Sequence, residues 1–149
     1  MTYLTKNFPL AEFCFSETAE RHGIVNELPP ELLLNAKRMC EYMEEVRAIL
    51  GHKPITCTSG YRNPQVNRLV RGSKTSAHMK ALAMDFRCYK YGTPFQIAEV
   101  LASVLVDFDQ LIYEGTWVHL GLAQGFQRRQ IKTAKFSTGK AVYYPGIVP

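Results

Sequence analysis

Two histidines and an aspartate are the residues best suited to chemistry in this sequence: His78, Asp85 seven residues later, and His119. Two imidazoles and one carboxylate are suitable ligands for a catalytic Zn²⁺, with the fourth position left for water. Seven residues of helix would set the first two side chains about 10 Å apart, too far for one ion. A shared metal therefore requires the chain to bend between them. The alternation of Leu82, Met84 and Phe86 against Ala83, Asp85 and Arg87 predicts such a bend. It describes a strand with an apolar inner face, Asp85 projecting from a face kept open by Ala83, and His78 on the loop entering it. A second alternation sets Val118, Leu120 and Leu122 against Trp117, His119 and Gly121, so His119 also projects beside a small neighbour. If the two strands share a sheet, the three side chains converge. A hydrogen-bonded structural His and Asp pair fits the same spacing, and spacing alone leaves both readings open. His22 and His52 lie in polar, loop-like stretches and read as surface residues.

The elements that must position these residues follow from periodicity. After Pro29-Pro30, apolar residues recur three or four apart from Leu33 through Ala36, Cys40, Met43 and Val46 to Leu50, predicting a helix over 31–50 ended by Gly51. Thr93-Pro94-Phe95-Gln96 carries a Thr cap, a proline at the first helical position and Gln at N3, predicting a second helix to about 106. Strand-like runs cover 55–58, 82–88, 109–113 and 116–122, with a weaker one at 141–144. Glu114-Gly115 reads as a tight hairpin turn, and Asn63-Pro64 as the opening of a short helix. The expectation is an α+β domain, helices packed on a small antiparallel sheet.

At 149 residues, with 46% apolar and 21% charged residues, the chain fits one globular domain with a basic tail over 123–149. No apolar run is long enough for a membrane span, and no secretory signal is visible at the start. Cys14, Cys40, Cys57 and Cys88 have no Cys-x-x-Cys spacing and read as reduced thiols. The net charge of +5 favours an anionic partner, with plain solubility as the alternative.

The surrounding residues carry a resemblance. Ser59-Gly60-Tyr61-Arg62-Asn63-Pro64, Asn67, Ser76-Ala77-His78 with Asp85, and Glu114-Gly115-Thr116-Trp117-Val118-His119 together resemble the zinc D-Ala-D-Ala carboxypeptidases and related peptidoglycan endopeptidases, over about residues 7–122. The resemblance implies a hedgehog/DD-peptidase fold, one Zn²⁺ per chain held by His78, Asp85 and His119, and metal-assisted hydrolysis of cell-wall stem peptides. The opening from Asn7 is similar to small phage-encoded members, and the small size, basic charge and missing signal suit a lysis enzyme made in the cytoplasm and acting on the wall after phage-type release.

Two positions depart from the family pattern. Ala81 stands where a glycine is usual, so the bend must form without a residue that freely takes positive φ. The positions that hold the general base in many relatives are Thr116 and Trp117, and the nearest acid is Glu114. Glu114 is expected as the base, with an exposed turn carboxylate as its other reading. Arg62 is expected to bind a substrate carboxylate, or else to form a structural salt bridge. Ser76 would contact substrate or brace His78, Gln110 would support a ligand or the tetrahedral intermediate, and Trp117 would line the pocket or pack the hairpin. The alternative function is a wall-binding module that retains the fold and metal without turnover. Nucleic acid is not an expected partner, because the sheet lacks regular aromatic pairs, and the chain is expected to act as a monomer.

Overall fold

The computed structural model describes all 149 residues. The chain opens with a short ribbon, Tyr3–Thr5 (β1) and Phe8–Pro9 (β2), followed by helices Leu10–Cys14 (α1) and Glu17–Arg21 (α2). A 3-10 turn at Pro30–Leu32 leads into the long helix Leu33–Ile49 (α3), and Pro64–Leu69 (α4) and Pro94–Val104 (α5) complete the helices. Ala36, Met39, Cys40, Met43 and Val46 of α3 are fully buried, whereas Leu33, in the first turn, is 38% exposed and lies off the expected stripe. The Glu44 carboxylate of α3 accepts hydrogen bonds from Thr5 and Asn7 at 2.7–2.8 Å and ties the amino-terminal ribbon to the helix. The capping box at Thr93 and Gln96 forms as the sequence predicts.

Six strands make the main sheet: Thr56–Ser59 (β3), Ala83–Arg87 (β4), Gln110–Tyr113 (β5), Val118–Gly121 (β6), Gln130–Ser137 (β7) and Lys140–Pro145 (β8). Their order is β3-β4-β6-β5-β7-β8. The fold is α+β, and every pair is antiparallel except β5 with β7, which is parallel. The exception has a simple cause. β4 already occupies one edge of β6 and β5 the other, so the chain leaving β6 passes to the outer edge of β5 and, starting from the end where β5 begins, runs parallel to it. Arg128 fixes the entry to β7 by a bidentate pair with Asp109 at 2.9 and 2.8 Å.

Residues 130–145, expected as part of a basic tail with a weak strand at 141–144, form two strands of the sheet, and β8 covers the expected one. Arg128 is held by Asp109, and Arg129 donates to the carbonyls of Ala102 and Leu105. The β7 to β8 turn is Thr138-Gly139, both with positive φ (51° and 80°), the geometry of a two-residue hairpin turn. All four cysteines are free, and burial pushes the Cys40 thiol up to about 12. No helix is long and apolar enough to cross a membrane.

The bend between His78 and Asp85 is a 3-10 turn, Ala77–Lys80, closed by Ala81 at φ 57°, ψ 31°. At the position where the resemblance implies glycine, the left-handed conformation is thus taken by a fully buried alanine. An L-residue there costs about 1–2 kcal/mol, while the buried methyl returns about 0.8 kcal/mol. Ala81→Gly is accordingly expected to change stability by less than about 1 kcal/mol, and Ala81→Val, β-branched in the same conformation, to cost about 2–3 kcal/mol. Urea denaturation of the three proteins checks this.

Candidate metal centre

The Ser59 to Pro64 motif is built around close contacts. A side chain at Gly60 would place its Cβ 2.2 Å from the Phe13 carbonyl oxygen, so only glycine lets this segment lie against α1, where the Tyr61 amide donates to that carbonyl at 2.8 Å. Tyr61 is buried in the core, and Asn63 caps α4 by accepting from the Val66 amide at 2.8 Å. The Gly60 carbonyl then faces inward and accepts from His78 Nδ1 at 2.7 Å. This bond selects the tautomer of His78 and turns its Nε2 towards Asp85. Ser76 braces the same residue, its hydroxyl oxygen accepting from the His78 amide at 3.2 Å.

Register brings the rest together. Asp85 on β4 is directly opposite His119 on β6, and Asp85 Oδ1 lies 2.7 Å from His119 Nδ1 and 3.2 Å from His78 Nε2. One ligand atom from each of the three residues falls within 4.8 Å of the others, and all three are buried. Gly121 leaves room for the His119 ring: a Cβ there would come within 3.3 Å of Nε2. His22 and His52 are exposed.

The electrostatics fit a cation. Burial raises the Asp85 carboxyl, but the two imidazoles outweigh it and hold the group well below the usual carboxylate range. Burial lowers His78, and for His119 the hydrogen bond and charge of Asp85 outweigh burial and raise it. With its Nδ1 proton committed to Gly60, neutral His78 turns the Nε2 lone pair onto the carboxylate oxygen at 3.2 Å. Two acceptors face each other there, an arrangement that a metal ion between them would resolve. Two imidazoles and a carboxylate are also the donor set that zinc prefers in catalytic sites.

These residues lie in a cleft of about 790 Å³ that also receives Arg62, Ser76, Gln110, Glu114 and Trp117. Glu114 follows β5 at the hairpin, where Gly115 takes φ +83°, and it is partly buried. Burial, and then the charge of Asp85, push its carboxyl up to about 7. The Trp117 indole N–H is near enough to favour the charged form, yet it is in no hydrogen-bonding geometry and is left without a partner. The Trp117 ring packs at 6.3 Å from that of Phe136. Arg62 has a buried Nε without a partner, and burial lowers its pKa against the pull of Asp85 and Glu114. Gln110 is not directed at a ligand: its amide donates to Gln130 at 3.0 Å. The cleft also takes Lys132, Phe136 and Tyr143 from β7 and β8, which the sequence reading did not include. The available signal was the Thr138-Gly139 turn between two alternating runs.

Two outcomes are expected. Gly60→Ala forces the motif away from α1 and misaligns His78, weakening zinc affinity by about 10- to 100-fold, as measured by competition with a chelating dye. In metal-free protein, Glu114 has a folded pKa of about 7 against an ordinary value of 4.5, so it binds more protons folded than unfolded and stability falls as pH rises through that interval. Glu114→Gln is therefore expected to stabilise the metal-free protein by about 1–2 kcal/mol more at pH 8 than at pH 4.5, after allowance for solvent screening, in denaturant titrations at both values.

A comparison with curated proteins finds no match to the chain. Residues 6–121 match the family described as Peptidase M15. That match covers most of the chain and spans all three prospective ligands, and on it the chain belongs to the Peptidase M15 family of zinc-dependent metallopeptidases.

Proposed function

We propose that this protein is a peptidoglycan peptidase that hydrolyses a peptide bond in bacterial stem peptides, with one Zn²⁺ per chain held by His78, Asp85 and His119. The observation that carries the reading is the pairing, in one cleft, of a His, Asp, His cluster with a carboxyl group whose pKa is raised to about 7. A zinc ion bound there supplies Lewis acidity towards the scissile carbonyl and makes water more acidic. Glu114 takes a proton from the attacking water and returns it to the leaving amine, a task suited to a group that titrates near neutrality. Gly60 and Ser76 hold His78 in place, and Arg62, with its unpartnered Nε, orients a substrate carboxylate. Trp117 walls the cleft close to Glu114.

D,D-carboxypeptidase and endopeptidase action both suit this arrangement. The net charge of +5 supports contact with an anionic wall polymer, and with it a lysis enzyme made in the cytoplasm and released in phage fashion.

Purified protein is expected to contain one zinc per chain and to release peptides from isolated sacculi. Chelator should abolish the release, zinc should restore it, and fragment masses name the bond. Glu114→Gln is expected to retain zinc and lose about 10²- to 10⁴-fold in kcat. A wall-binding module would instead hold zinc and sacculi while releasing nothing, and Glu114→Gln would leave its binding unaltered.

A further inference from the structure

β7 and β8 lie outside the part of the chain that matches the family, yet they form one wall of the cleft. Register shows how. Asp85 is opposite His119, His119 is opposite Ile112, and Ile112 is beside Lys132 in the parallel pair. These four residues form one transverse row on one face of the sheet. At about 4.8 Å per strand, the Lys132 backbone stands about 10 Å from that of His119.

Lys132 is partly buried, lines the cleft and has no carboxylate partner; the one ion pair made by a lysine or arginine joins Arg128 to Asp109. Its ammonium lies 5.3 Å from the centroid of the Tyr143 ring. Tyr143 is opposite Ala134, a small residue that leaves the ring open to the cleft. Arg62, whose buried Nε has no partner, follows β3 at the far side of the metal cluster, and the exposed Arg71 also borders the cleft. The cleft thus has, on each side of the three prospective ligands, a cation that makes no direct ion pair. A partly desolvated ammonium gains most from an anion that arrives with the substrate.

We infer that Lys132, steadied by Tyr143, is a specificity-determining residue that receives a second substrate carboxylate, so the cleft selects peptides carrying two carboxylates, one directed to Arg62 and one to Lys132. This rests on the peptidase reading above. The substrate class is an anionic peptide whose two carboxylates flank the bond that is cut. A stem peptide with γ-linked D-glutamate and a free carboxyl terminus carries such a pair.

The test uses three synthetic peptides: L-Ala-γ-D-Glu-L-Lys-D-Ala-D-Ala, its D-isoglutamine form and its carboxyl-terminal amide. Cleavage by the zinc-loaded protein is followed by mass spectrometry for the unsubstituted chain, Lys132→Gln and Lys135→Gln. Lys135 is exposed, with its ammonium over the Tyr144 ring and outside the cleft, so its loss removes the same charge without touching the subsite. The unsubstituted protein is expected to prefer the dicarboxylate over each amide by about tenfold or more in kcat/KM. Lys132→Gln should bring one of the two preferences close to one, chiefly through KM, and leave the other, while Lys135→Gln should keep both. The inference is overturned if the unsubstituted protein lacks either preference, if Lys132→Gln retains both, or if Lys132→Gln slows all three peptides by the same factor. If no peptide is cleaved, the peptidase reading fails separately, and calorimetric binding of the same peptides decides the subsite. A carboxylate-dependent affinity lost in Lys132→Gln upholds it, and equal or absent affinity overturns it.

Discussion

A carboxylate buried between two imidazoles is the constraint that the rest of this structure serves. Asp85 has almost no access to water, and an unpaired charge in that position costs several kcal/mol. Its Oδ1 is met by the two imidazoles, and the bond from His119 Nδ1 favours the charged form. His78 meets it with a lone pair, because the Gly60 carbonyl has already claimed the proton on Nδ1. A cation among the three ligand atoms would satisfy the cluster as a set. The chain secures that geometry from three directions: the β4 to β6 register, the 3-10 turn after Ser76, and the close approach of Gly60 to α1.

Small residues make the geometry feasible. Gly60 admits the backbone of Phe13, Gly121 admits the His119 ring, and Ala83 is opposite Gly121 on the same face as Asp85. The opposite face carries Met84, Phe86, Val118 and Leu120, which belong to the main apolar core with α3 and α5. One sheet thus supplies a rigid packed side and an open polar side, and the metal cluster gains its positional precision from the packed one. Ala81 is the exception, a strained alanine at the turn that must reverse the chain between two ligands.

The cleft is finished by parts of the chain far apart in sequence. The Ser59 to Pro64 motif delivers Arg62, the β5 to β6 hairpin delivers Glu114 and Trp117, and the β7 to β8 hairpin delivers Lys132 and Tyr143. The last of these reaches the site because β7 joins β5 in parallel, which puts its residues in the transverse row of Asp85 and His119. Arg128 and Asp109 are pinned together at the start of that join, so the cationic wall is continuous with the sheet.

The sequence by itself determined the elements whose signals are local. Period-two alternation marked β4 and β6, with Asp85 and His119 on one face; the Thr93 capping box and the α3 stripe marked their helices; and Gly115 marked the hairpin that presents Glu114. These follow from short-range sterics and the periodicity of burial, which a linear string records. Tertiary structure alone decided the tautomer of His78, since a carbonyl eighteen residues away sets it, and the raised pKa of Glu114, since burial and the charge of Asp85 produce it. It also decided the place of residues 130–145. Strand pairing across a sheet depends on which edges are already taken, and that is a property of the assembled fold, so a basic stretch that reads as a tail becomes the wall facing the metal cluster.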